Sequence, residues 1–255
     1  MKQIGFSYKG QHSHDKGLFV TNVARPLLPT VTSKTMTIPE GQGVLYFGYQ
    51  YEPLELIVDI AFEGEKASDV QGVRRELADW LSPEEGLQAL IFDDEPDKKY
   101  KAVLNDTSEL EQIVTMGQGT LQFLIPEPFA YAVEDDIFIF EKEGTFNIER
   151  QGTAHSYPMI EIMGSCTPSD EIEVNINDHV LSFSGRLQEE DTLVLDSQLI
   201  TAKIIRANDT VESAINQLST LAFPKTVPGQ NTLEVWTTGN AILRQLKITC
   251  RSRWK

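Results

Sequence analysis

Apolar and polar positions alternate with a period of two along much of this chain. Leu54, Leu56, Val58, Ile60 and Phe62 alternate with Glu55, Ile57, Asp59 and Ala61, the pattern of a strand that buries one face. Ile172, Val174 and Ile176 alternate still more cleanly with Glu171, Glu173, Asn175 and Asn177. Similar runs predict strands near 89–92, 100–104, 119–125, 180–184, 191–195, 200–205, 232–237 and 241–251. Turn residues punctuate them, among them Asn105-Asp106, Pro228-Gly229 and Thr238-Gly239-Asn240.

One helix interrupts the pattern. Ser68 can cap it, with Gln71 as the capping-box partner three residues on. Val70, Val73, Leu77 and Leu81 then recur at helical spacing, with Arg74, Arg75, Glu76 and Asp79 on the other side and Trp80 at the edge of the stripe. Pro83 stops the helix, and Ser82 to Gly86 reads as one further capped turn. A weaker helical patch runs from Val211 to Leu218.

The pattern divides in two. Pro126 and Pro128 end an extended strand, and the acidic run Val133-Glu134-Asp135-Asp136 follows. This places a first domain at 1–133, a linker at 134–151 and a second domain at 152–255. The first domain reads as mostly β with one main helix (α+β), the second as a β-sandwich. No internal repeat or low-complexity tract occurs.

Composition narrows the function more than the fold. The 255 residues carry a net charge of −16, which disfavours tight binding to nucleic acid and docking on an anionic membrane. No stretch of 18 apolar residues is present, so no transmembrane helix is expected. The start, Met-Lys-Gln-Ile-Gly-Phe-Ser-Tyr, lacks the apolar centre of a signal peptide, and synthesis in a cytoplasm is the expectation. Cys166 and Cys250 fall in step with apolar alternation and read as buried free thiols. No Cys-x-x-Cys pair supports a zinc ribbon or a redox motif.

Candidate chemistry is sparse. His12-Ser13-His14-Asp15 offers metal-ligand residue types, but the next histidine is His155 and no third ligand stands at a recognisable spacing, so a turn in a solvated loop is favoured. Asp93 to Asp97 clusters oxygens that would suit calcium, yet lacks the Ca-loop spacing; a hairpin turn with Pro96 is favoured. The acidic pairs Glu84-Glu85 and Asp135-Asp136 and the run Glu189-Glu190-Asp191 read as solvated faces, not as opposed catalytic carboxylates. No nucleophile elbow, phosphate loop or His-Glu-x-x-His occurs. The chain is therefore read as a non-enzyme, with no catalytic, cofactor-binding or metal residue assigned. Trp236 falls on the strand face opposite Leu233 and Val235 and so points away from the core. Packing on a neighbouring subunit or partial burial is favoured there over stacking on a sugar.

Five short signals in the first half occur in a fixed order: Phe6-Ser-Tyr8-Lys-Gly10, Pro39-Glu-Gly41-Gln-Gly43, Trp80-Leu81, the run from Asp93 to Tyr100, and Glu127-Pro128-Phe129-Ala130-Tyr131. Ser13, Asp15, Gly17 and Leu18 fit a further Ser-x-Asp-x-Gly-Leu segment. The series resembles the N-terminal domain of distal tail proteins from long, non-contractile-tailed bacteriophages. The second half is similar more loosely, through Pro158 to Gly164, Pro228 to Leu233 and the basic Arg251-Ser-Arg253-Trp254. The resemblance implies a homohexameric ring at the tail tip. The ring would join the tail tube protein to the tail-tip protein and leave a channel for DNA, with Pro39 to Gly43 on or beside an arm that embraces the next subunit. It also implies a galectin-like sandwich for the second domain and a location in the virion tail tip after synthesis in the bacterial host. The galactose-binding His-x-Asn-x-Arg constellation is absent, since His179 is followed by Val180-Leu181-Ser182-Phe183, so the fold analogy carries no ligand with it. The competing expectation is a carbohydrate-binding module for host adhesion.

Overall fold

The computed structural model describes residues 4–39, 41–62, 70–106 and 118–255. The chain forms two compact units, Met1–Val133 with the terminal Lys255, and Glu134–Trp254.

The first unit is built on an antiparallel sheet. Its strands are β1 (Phe6–Tyr8), β2 (Gln11–His12), β3 (Leu18–Ala24), β6 (Leu54–Phe62), β7 (Gln88–Phe92), β8 (Lys98–Asp106) and β9 (Gln118–Ile125), in the order β2-β1-β7-β8-β9-β6-β3. β10 (Ala130–Ala132) pairs with β8. One bridge between Ile4 and Val20, with Val20 N–H donating to Ile4 C=O at 2.9 Å, ties the far ends of this path together. Alternation along β6 explains its register. Leu56, Val58 and Ile60 are buried, and Asp59 on the opposite face accepts from Asn22 and Thr120. Helix α1 (Val70–Leu81) covers the core, burying Leu77, Trp80 and Leu81 while Arg75, Glu76 and Asp79 stay exposed. Trp80 is thus inside the core, where it stacks on Phe6 at 5.7 Å and 11°. Ser82 caps the short 3-10 turn Pro83–Glu85 by accepting from Glu84 N–H. Ser68 and the side chains of Val70, Gln71, Val73 and Arg74 lie outside the described residues.

Two strands leave this sheet. Among the described residues β4 (Val31–Thr37) and β5 (Val44–Tyr51) pair only with each other, as a hairpin.

The second unit is a sandwich of two antiparallel sheets. One runs β11-β20-β13-β16-β17-β18, from β11 (Asp136–Phe140), β13 (Met159–Ser165), β16 (Thr192–Asp196), β17 (Thr201–Ile205), β18 (Val211–Ser213) and β20 (Ile242–Cys250). The other runs β12-β19-β14-β15, from β12 (Gly144–Arg150), β14 (Glu171–Ile176), β15 (His179–Phe183) and β19 (Gly229–Thr238). Ile160, Ile162, Leu246 and Ile248 from the first sheet meet Ile172, Val174, Leu233 and Val235 from the second in one core.

Three expectations are corrected here. Residues 134–151 are not a linker: β11 and β12 are edge strands, one in each sheet of the sandwich, and the boundary falls between Val133 and Glu134. Their sequence looked unlike core because an edge strand is half solvated. Ile137 and Ile139 are each 54% exposed, and β12 buries a charged residue, Arg150. That guanidinium donates to the carbonyls of Gln151, Ala154 and Val227, and burial holds its pKa below the ordinary arginine value. Val211 to Leu218 is likewise not a helix. It is β18 followed by a three-residue 3-10 turn at Ile215–Gln217. Asn105-Asp106 extends β8 instead of forming a turn, and the residues that follow lie outside those described.

Candidate functional site

The feature that stands apart from the two cores is the β4–β5 hairpin. Residues 31–51 hold two charged side chains, Lys34 and Glu40, in a chain that is 24% charged. Their place is taken by apolar and aromatic groups. Such depletion of charge with enrichment in Tyr, Phe and Met marks the centre of a protein interface and not a solvated loop.

Register sorts these groups onto two faces. Val31 pairs with Tyr51, Ser33 with Tyr49, Thr35 with Tyr46 and Thr37 with Val44, so these share one face. Met36 pairs with Leu45 on the other, and Phe47 follows Leu45 by alternation. A bulge between Ser33 and Thr35 sets two residues of β5, Phe47 and Gly48, against Lys34 alone. Gly48 takes φ +103 there, a conformation L side chains rarely adopt.

Neither face is covered. On the tyrosine face Val44 is 56%, Tyr46 62% and Tyr49 52% exposed; on the other Met36 is 54% and Phe47 61% exposed. A strand normally buries one face, and an isolated two-stranded ribbon has marginal stability in water. The hairpin is anchored at its base. Glu52 N–H donates to Thr30 C=O at 2.9 Å, and Tyr51 meets Phe129 edge-on at 5.2 Å. Beside that base lies an open cleft of about 700 Å³ lined by Pro26, Thr30, Pro53, Glu55, Ile57 and Leu124. The adjoining loop exposes Leu27 and Leu28 almost completely or in large part.

The chemical candidates resolve into structural roles. His12 Nε2 lies 3.0 Å from Asp93 Oδ1, His12 Nδ1 accepts from His14 N–H, and the two rings meet edge-on at 4.6 Å. The segment is not a solvated loop. It is β2 followed by a 3-10 turn (Ser13–Lys16) ended by Gly17, and Ser13 is fully buried with its hydroxyl accepting from Phe6 N–H. Burial pushes the Asp93 carboxyl up, but bonds from His12 and the Gly5 amide outweigh it and hold the pKa below the ordinary value. Among the described residues no group of three or more His, Cys, Asp or Glu is placed to hold a metal ion.

Asp93 to Asp97 forms the β7–β8 turn, and Asp94 receives both terminal nitrogens of Arg25 at 2.6 and 2.8 Å. Glu84, Glu85, Glu189 and Glu190 are exposed, whereas Asp191 is buried against Arg206 at 2.7 Å. Asp191 is thus a structural ion-pair partner and not part of a solvated face. Cys166 and Cys250 are buried and unbridged, and burial pushes the Cys250 thiol up to about 12. Trp236 is 46% exposed on β19.

The residues sequence reasoning missed are those of the hairpin's strands. Their apolar side chains point both ways, so no period-two contrast marks them. The available signal was the low charge of residues 31–51.

Comparison with known proteins agrees with this organisation. The model of the phage tail protein RIFT-related domain matches residues 18–125, so the segment from β3 to β9 is a phage tail domain. The SPP1 phage Dit protein, described as a paradigm of the hub adsorption apparatus in phages infecting Gram-positive bacteria, aligns over 100% of both chains with TM-score 0.74 and 15% identity. A chain of the phage p2 baseplate in its activated conformation with Sr aligns over 97% of each chain with TM-score 0.54 and 9% identity. A chain of the same baseplate with Ca aligns over 98% of each with TM-score 0.51 and 8% identity. No curated protein sequence matches. The fold is that of a phage distal tail protein, mostly β with one α-helix among the described residues.

Proposed function

We propose that this phage tail protein is the structural hub of a tail tip: a homohexameric ring that joins the tail tube protein to the tail-tip protein and leaves a channel through which DNA passes. The observation that carries the reading is the β4–β5 hairpin, apolar on both faces and uncovered on both. A single partner surface can cover only one face of a ribbon. An arm that reaches past its own subunit into the neighbouring one covers both. Repeated head to tail, such a contact is heterologous and closes into a ring when its rotation divides a full turn.

The first unit carries the tail domain and the arm, and so forms the ring. The second unit adds no comparable apolar projection. The net charge of −16 suits a wall that repels DNA and lets it pass. The place of the protein is the virion tail, reached after synthesis in the bacterial host.

Light scattering on the purified chain tests the assembly. A species of about six chain masses is expected, and electron images should contain rings. A monomer at high concentration, both alone and mixed with the phage's own tube and tail-tip proteins, overturns the reading.

A further inference from the structure

One edge of the sandwich lacks the guards its other edges carry. A free edge strand invites pairing with another chain, and proteins commonly block it by cover, shortness or exposed polar and charged side chains. β15 is covered by the stretch 217–219: Ser184 N–H donates to Gln217 C=O and Ser219 N–H to Ser182 C=O, each at 2.9 Å. β18 is three residues long and carries Glu212, paired with Arg206 at 2.5 Å. β12 turns Thr145, Asn147 and Glu149 to solvent. β11 instead turns out Ile137 and Ile139, each 54% exposed, and contains no lysine, glycine or proline. Its acid, Asp136, accepts from Ser252 Oγ at 3.0 Å. Among the described residues the main chain of 137–140 bonds to β20 alone.

A cleft continues this edge. Phe140 and Phe146 stack at 4.2 Å and 29°, and with Ile139, Glu141 and Lys142 they line an open cleft of about 620 Å³. Phe138, Phe140 and Phe146 pack on the core yet stay partly exposed. Apolar surface is therefore incompletely covered on both faces of β11, at Ile137 and Ile139 on one and at Phe138 and Phe140 on the other. Acids stand at both ends: Glu134, Asp135 and Asp136 at the start, and Glu141 and Glu143 around Lys142 after the last residue.

From this we infer that β11 is a strand-addition site. It takes an extended segment of another protein, with apolar residues at alternate positions, a large apolar side chain for the cleft, and lysine or arginine at its ends. Main-chain bonds to a free edge supply the affinity of such a contact, and pockets for alternate side chains supply its selectivity. The excess of acids at both ends of β11 favours basic flanks in the partner. A second copy of β11 fits less well. Antiparallel pairing centred on Phe138 sets Glu134 against Lys142, but it also sets Asp135 against Glu141 and brings Asp136 to the apolar cleft beside Phe140. The edge belongs to the second unit and the arm to the first, so neither assignment depends on the other.

The test gives the full chain the synthetic peptide Lys-Thr-Val-Thr-Val-Thr-Phe-Lys and its isoleucine and leucine counterparts at the valine positions. Each is N-methylated at alternate amides, which leaves one hydrogen-bonding edge and keeps the peptides from stacking on one another. Hydrogen exchange read by mass spectrometry should slow over residues 136–140. Fluorescence anisotropy should show saturable binding with a dissociation constant near or below about 1 mM for at least one peptide. Methylating every amide keeps the side chains but removes the remaining edge, and should abolish binding. Glutamate in place of the terminal lysines, or serine in place of the phenylalanine, should weaken it. Ile137→Lys with Ile139→Lys should weaken it by at least about tenfold. Both positions are exposed, so the melting temperature should move little; if that variant does not fold, the fully methylated peptide on the unaltered protein decides. No protection of 136–140 by any of the peptides at about 5 mM, equal binding of the fully methylated peptide, protection confined to β4 and β5, or preference for the glutamate-ended peptide each overturns the assignment. Protection of 136–140 that rises with protein concentration in the absence of peptide shows a second copy at the edge and overturns it too.

Discussion

The Trp80 indole nitrogen donates to the main-chain carbonyl of Tyr8 at 2.9 Å. This bond, inside the first core, fastens helix α1 to strand β1 across 72 residues of sequence. Stacking on Phe6 and the edge-on contact with the Tyr8 ring complete the joint. Trp80→Phe keeps much of the burial but removes the indole N–H that bonds the Tyr8 carbonyl. It should lower stability by about 0.5–1.5 kcal/mol. Leu77→Ala, one turn earlier and 1% exposed, should cost about 2–5 kcal/mol through lost burial and a cavity. Urea melts followed by circular dichroism measure both. A Leu77→Ala effect within surface scatter would show that this side chain does not pack against the sheet.

The arm should be separable from the fold. Tyr46→Ser with Phe47→Ser removes one large ring from each face, both more than 60% exposed. Light scattering should then find monomers where the unaltered chain forms rings, and the melting temperature of the monomer should move little. Persistent rings in the double variant would place the subunit contact elsewhere.

DNA should not bind. With a net charge of −16, the protein has few phosphates it can neutralise, and duplex DNA should run unshifted beside it in a gel at physiological salt. A salt-sensitive shift at micromolar protein would remove the idea of a passive channel wall.

Acid should loosen the second unit through Asp196. Both terminal nitrogens of Arg251 donate to it at 2.8 Å, and this, with help from the Gln198 and Leu199 amides, outweighs burial and holds the carboxyl below its ordinary range. A folded pKa below the unfolded one gives stability that is complete above the unfolded value, about 3.9, and that disappears as pH falls through the folded value. Urea midpoints should therefore be insensitive to this group near neutrality and should drop below about pH 4. Asp196→Asn should be less stable at pH 7 and flatter on the acid side. An acid limb equally steep in that variant would assign the loss to other carboxylates.

The two units should fold apart. A fragment ending at Val133 should be folded and should assemble, and a fragment beginning at Glu134 should be a folded monomer by sedimentation. Beginning instead at Gly152 removes β11 and β12, one edge strand from each sheet, and should leave a poorly soluble chain. A folded first fragment that never assembles would mean that the second unit contributes to the ring.

Central strands were legible because burial on one face writes itself into the sequence. β6, β14, β19 and β20 all lie where alternation placed them. Edge strands were not, since Ile137 and Ile139 face solvent and the surrounding acidic residues read as a hinge. Trp80 was assigned to the margin of the helix stripe because its partners, Phe6 and Tyr8, come from a distant strand that local periodicity does not register. The hairpin was legible only at its turn, where Pro39 and the flanking glycines stand out. Its strands answer to a surface outside the chain. Trp236 was placed correctly on the outward face.

The bulge at Gly48 also fixes how the arm can change length. Adding or removing a residue pair beyond it lengthens or shortens the ribbon and leaves its sidedness intact. Removing Gly48 would leave Phe47 alone opposite Lys34 and restore a regular ladder, with Tyr46 and Tyr49 still on one face. A single deletion between Val44 and Phe47 would instead carry the residues on its turn side to the opposite face. Natural or engineered loss of one residue should therefore be tolerated at the bulge and rejected nearer the tip of the arm.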